Sequence, residues 1–60
     1  MLYSIRIIDG NNDIVRVAHT HNFDNAISYY KEFTSCSYPE VVRVKMTVDN
    51  TLVVTKFIPK

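Results

Sequence analysis

Apolar and polar residues alternate along four stretches of this chain, and between the second and third the period lengthens to that of a helix. Residues 2–8 carry Tyr3, Ile5 and Ile7 at every second position among β-branched and aromatic neighbours, the pattern of a half-buried strand. Asp9-Gly10-Asn11-Asn12 is a turn cluster, because Gly and Asn tolerate positive φ. Residues 13–20 resume the alternation through Val15 and Val17. A shared buried face sets Ile7 opposite Val15, Ile5 opposite Val17 and Arg6 opposite Arg16. That register leaves Gly10-Asn11-Asn12 as a three-residue loop with Asn12 or Gly10 in the left-handed position.

Phe23, Ala26, Ile27, Tyr30 and Phe33 then recur at spacings of three and four, one apolar stripe of a helix. Asn22 or Asp24 can cap its start, where an acid suits the helix dipole. The helix should stop near Ser35-Cys36-Ser37, since Pro39 disfavours helical geometry in Tyr38. Residues 41–48 alternate again with Val42, Val44, Met46 and Val48 on one side. Asp49-Asn50 reads as a two-residue turn of the I′ kind. Residues 51–58 form the last strand, with Val48 opposite Thr51, Met46 opposite Val53, Val44 opposite Thr55 and Val42 opposite Phe57.

The predicted fold is a single ββαββ domain of the α+β class over residues 1–60, a four-stranded sheet with one helix packed on one face. A parallel pairing of the first and last strands at the centre is the economical arrangement. This order and length resemble the β-grasp immunoglobulin-binding domains of streptococcal protein G, an architectural likeness that covers no binding motif. A split β-α-β order satisfies the same pattern.

Composition fits a small folded domain. Of 60 residues 47% are hydrophobic and 22% charged, too apolar for a disordered chain. One cysteine, Cys36, excludes an internal disulfide framework and a multi-cysteine zinc site. Seven basic against six acidic residues give a net charge of +1, which by itself points to no polyanion.

The predicted registers redistribute that charge. The face away from the helix receives Arg6, Ile8, Ile14 and Arg16 from the first hairpin, and Arg43, Lys45, Leu52, Val54 and Lys56 from the second. Five cations would share it with no acid, since Asp9, Asp13, Glu40 and Asp49 lie at turns and strand ends and Asp24 and Glu32 in the helix. The remaining cations are Lys31 and Lys60. A helix-free sheet face needs polar residues in any case, and long cationic side chains cover apolar neighbours. Basic and aliphatic residues interleaved on one face are, however, a composition suited to an interface. A larger acidic protein is therefore the first expected partner. Nucleic acid ranks second, because Tyr3 and Phe57 are predicted to point inward and a base-stacking platform needs aromatics on the open face. Self-association through that face or an edge strand, giving a homodimer, is the third reading.

Other chemistry is thin. His19 and His21 share one side of a strand and Cys36 is the one further soft ligand, without metal-site spacing. Near a helix C-terminus the dipole does not activate Cys36 as a nucleophile, so a Cys–His pair with either histidine is not expected. Gly10 is the only glycine, so a Gly-rich phosphate loop is excluded. The expectation is a protein without cofactor, metal or catalytic residues. Ser28, Tyr29, Lys31 and Glu32 form the exposed helix side, read as solvated surface.

Residues 17–45, with Ala18 closing a strand, Asn22-Phe23-Asp24-Asn25-Ala26-Ile27 opening the helix and Glu40-Val41-Val42-Arg43-Val44 opening the next strand, are similar to small phage-encoded proteins. The likeness is greatest to the tiny inhibitors of host RNA polymerase carried by T7-like phages. It covers about half the chain on a motif generic to strand-helix-strand units, and carries over no functional residue. It implies a class, noncatalytic inhibitors or adaptors that bind and block a host factor or defence protein. Met1–Arg6 lacks the cationic start and apolar run of a signal peptide, and no apolar stretch approaches the roughly 18–20 residues that span a bilayer. The expected location is the cytoplasm, away from membranes.

Overall fold

The computed structural model describes residues 1–59, and Lys60 lies outside them. The elements are β1 (Tyr3–Ile8), β2 (Ile14–Thr20), α1 (Phe23–Ser35), β3 (Val42–Val48) and β4 (Thr51–Ile58), the expected ββαββ order. All four strands join one antiparallel sheet and α1 packs on one face.

The turns form through the residues that mark them. Asn12 takes the left-handed conformation at φ 65°. Asp9 Oδ1 accepts from the N–H groups of Asn11 and Asp13, both at 2.9 Å, which folds the first loop onto its own side chain. Asp49 and Asn50 have φ 50° and 69°, as a I′ turn requires. Asn22 caps α1, its Oδ1 accepting the Asn25 N–H at 3.0 Å, with Asp24 in the first turn. The helix stops at Cys36, and Tyr38 donates its hydroxyl to the otherwise unpaired Phe33 carbonyl at 2.6 Å.

The lateral order is β2-β1-β3-β4, so the central pair is antiparallel β1–β3 and not a parallel β1–β4 pair. Because β1 runs antiparallel to both neighbours, β2 and β3 are parallel to each other. They are joined by α1 crossing over β1, a split β-α-β unit. Thirteen helical residues span about 20 Å, a length suited to returning along a seven-residue strand of about 23 Å. The helix packs chiefly on β1, β2 and β3, and β4 extends beyond it as an edge. A strand that turns Lys56 to the helix side is better tolerated there than under a helix.

The core joins Ile5 and Ile7 of β1, Val42, Val44 and Met46 of β3 and Ile58 of β4 with Ala26 and Phe33 of the helix. Phe33 is fully buried. Phe23 begins the predicted helical stripe yet stays more than half exposed, because the first helical residue overhangs the sheet end, where its ring meets Tyr3 edge-on at 5.8 Å.

Both hairpins carry an extra residue in the edge strand, and this overturns two registers. Ile7 pairs with Arg16 and Ile8 with Ile14, so Val15 is bulged out. Met46 pairs with Val54 and Thr47 with Leu52, so Val53 is bulged out. A one-residue shift turns every later side chain to the other face. Arg6 consequently lies opposite Val17, not Arg16. Phe57 lies opposite Arg43, while Ile58 takes the inward place beside Val42.

Candidate functional site

Strict alternation in β1 and β3 sets the centre of the open face. Ser4, Arg6 and Ile8 lie directly opposite Thr47, Lys45 and Arg43. Ile14, Val17 and His19 of β2 flank them on one side. Leu52, Thr55 and Phe57 of β4 flank them on the other. Six of the nine expected interface residues therefore share the open face: Arg6, Ile8, Ile14, Arg43, Lys45 and Leu52. The other three do not. The bulges turn Arg16, Val54 and Lys56 toward the helix side, so among the described residues the face holds three cations, not the expected five.

Arg16 has an intramolecular role there. Its guanidinium lies 4.8 Å from the Phe33 ring centroid and 3.5 Å from the Glu32 carboxylate. The ion pair is more than half exposed and contributes little; the stacked head shields the end of the core. Val54 packs half-buried against the core, and Lys56, opposite Val44, is exposed beyond the reach of the helix.

Four open-face residues escape the sequence reading: Val17, His19, Thr55 and Phe57. Each lies past or beside a bulge in an edge strand. The available signal was the run of apolar doublets, Ile14-Val15 and Val17-Ala18, then Val53-Val54 and Phe57-Ile58, which fits either phase of alternation. Phe57 matters most, being 65% exposed on a face expected to lack aromatics.

The electrostatics of the face are one-signed. Arg6 and Lys45 are half-buried and directly opposed across the two central strands. Among the described residues, no carboxylate lies within ion-pair distance of Arg6, Lys45 or Arg43. Arg43 Nη2 instead donates to Asn12 Oδ1, tying its head toward the first loop. Glu40 is likewise held at that loop, its Oε1 accepting the Gly10 N–H at 3.2 Å. At the far end, the buried Ser4 hydroxyl shares a 2.8 Å hydrogen bond with His19 Nδ1.

His21 Nδ1 is bound to the Met1 carbonyl at 2.9 Å, and His19, His21 and Cys36 do not converge. Among the described residues, no group of three or more potential ligands is placed to hold a metal ion. Asn25, Ser28, Tyr29 and Glu32 line a hollow of about 230 Å³ on the outer side of α1. That is below the roughly 300–1,000 Å³ of ligand pockets. No helix among the described residues is long and apolar enough to cross a membrane. No family model, curated protein or solved structure matches the chain.

Proposed function

We propose that this chain is a noncatalytic binding protein whose open sheet face takes an acidic, partly apolar surface of a larger protein. The observation that carries this reading is the opposition of Arg6 and Lys45 in neighbouring central strands, with no carboxylate of the described residues within ion-pair distance. Like charges directly opposite across strands destabilise a sheet, so the pair is understandable as a site completed by a partner's acids. Ile8, Ile14, Val17, Leu52 and Phe57 surround the pair, apolar surface that leaves water on binding. Cations steer the encounter and the apolar ring slows dissociation. The strand-helix-strand resemblance over residues 17–45 supports an inhibitor or adaptor of phage origin acting on a host factor in the cytoplasm.

The test is charge reversal on each side of the sheet. Arg6→Glu with Lys45→Glu keeps two like charges opposed, so the fold should tolerate it while binding to a captured acidic partner falls at least tenfold. Arg16→Glu with Lys56→Glu makes the same net change on the helix side and should leave binding within about threefold. Equal losses from both double variants would refute an open-face site.

Phe57 favours a second reading, single-stranded nucleic acid stacked on its ring beside Arg43 and Lys45. That reading requires oligothymidine binding that weakens steeply with salt and loses about 1–3 kcal/mol on Phe57→Ala. An undetectable fluorescence-anisotropy change at low salt would remove it.

A further inference from the structure

The two edges of the sheet are built differently. Strand edges present unpaired N–H and C=O groups that template pairing with another chain unless they are blunted. On β2 the helix packs against the strand, and Arg16 lies folded over Phe33 beside Glu32. On β4 neither feature is present. Thr51–Ile58 is one residue longer than β2 and lies beyond the main contacts of the helix; like β2 it holds one charge and no proline and exposes three large apolar side chains, here Leu52, Val53 and Phe57. Its bulge lies near the turn, and Val54–Ile58 pair regularly with Met46–Val42. Eight residues make an edge of about 26 Å, against a longest molecular dimension of 31 Å.

We infer that β4 pairs antiparallel with β4 of a second copy of this chain, about a two-fold axis at Thr55, to make one continuous eight-stranded sheet. The strand's own sequence selects that occupant and register. With Thr55 on the axis, Thr55 faces its counterpart and Val54 faces Lys56, all within the regular stretch beyond the bulge. A two-fold centred one residue later would set the two Lys56 ammonium groups face to face, which is unfavourable. The Thr55 register separates them and sets each Lys56 opposite the apolar Val54. A charged foreign strand would meet one cation in eight residues, whereas a second copy supplies apolar surface on both faces. A stable interface takes about 800 Å² from each partner, a fifth of the 4032 Å² surface of this chain. The axis runs perpendicular to the sheet, so both Arg6–Lys45 pairs would lie on the same side of the dimer. The dimer does not depend on the proposed open-face partner, because Arg6 and Lys45 belong to interior strands.

Sedimentation of the full chain from low to high micromolar concentration should show a monomer–dimer equilibrium. Thr55→Glu places a carboxylate opposite Lys45 within its own chain, compatible with the fold, but sets two carboxylates together at the axis. It should weaken the dimer about tenfold or more. Arg6→Glu with Lys45→Glu should leave the dimer unchanged even where it abolishes partner binding, so the two readings fail separately. In a Cys36→Ser background, Thr55→Cys should form an intermolecular disulfide, since directly opposed antiparallel residues lie within disulfide reach. Val17→Cys, on the β2 edge, should not. A monomer mass for the unaltered chain throughout the range, or equal cross-linking of the Val17→Cys and Thr55→Cys variants, would overturn the inference.

Discussion

Reversing one charge of the Arg6–Lys45 pair should make this protein more stable while weakening its binding. The two residues are direct partners across β1 and β3 and are half-buried. Two unit charges roughly 5 Å apart in a water-like dielectric repel by about 0.8 kcal/mol. Measured cross-strand pairs fall on the same scale, about 0.2–1 kcal/mol. Lys45→Glu removes the repulsion and substitutes an attraction of similar size, a swing of about 1–1.5 kcal/mol at low salt. For a domain of this size each kcal/mol shifts the melting temperature by about 4–8 °C. Thermal melts followed by circular dichroism should therefore place the variant about 4–12 °C above the unaltered protein. Lys45→Gln, which removes the repulsion alone, should give about half that gain. At about 1 M salt the screening length falls to about 3 Å, and most of the gain should vanish. Arg6→Glu combined with Lys45→Glu should return close to the starting stability. A Lys45→Glu melting temperature at or below that of the unaltered protein would refute the reasoning. A gain that persists at high salt would refute it too, by locating the effect in packing.

Arg16→Ala should cost about 0.5–1 kcal/mol through the lost stacking on Phe33, read from urea midpoints, with partner binding unchanged because Arg16 is off the open face. Phe33→Ala, in contrast, removes a fully buried ring and should cost about 3–5 kcal/mol, enough to unfold a chain this small; Phe33→Leu should retain a cooperative melt. Asn50 holds a positive φ, so Asn50→Ala should cost about 1 kcal/mol and Asn50→Gly should be neutral or mildly stabilising in the same assay. Burial, then the nearby Cys36 thiol, raises the Tyr38 hydroxyl above its ordinary pKa near 10. The folded state thus favours the protonated phenol. That contribution is complete below pH 10 and lost as pH rises through the folded value, so Tyr38→Phe should flatten the alkaline decline in stability.

Local chemistry settled the number and type of elements, because each rests on near neighbours. Asp49-Asn50 can adopt the left-handed pair of a I′ turn, Asn22 can accept the Asn25 N–H, and Phe23 through Phe33 keep one helical period. The inward faces of β1 and β3 were equally legible. Tyr3, Ile5 and Ile7, and Val42, Val44 and Met46, alternate without interruption, so one phase alone buries them. The edge strands hold apolar doublets instead, and two phases bury comparable surface.

Only packing chose between those phases. Bulges at Val15 and Val53 placed Arg16 over Phe33, Val54 and Ile58 inward and Phe57 outward. Lateral order was also a tertiary decision. The ββαββ pattern fits a parallel β1–β4 centre as well as the observed antiparallel β1–β3 centre, because side-chain period records which face a residue takes and not which strand lies beside it. The candidate site was accordingly legible where it rests on the interior strands, in Arg6, Ile8, Arg43 and Lys45. The edge strands gave Ile14 and Leu52 but hid Val17, His19, Thr55 and Phe57. The chain alone determined a one-signed, partly apolar sheet face, and tertiary structure reduced its cations from five to three and gave it an aromatic ring.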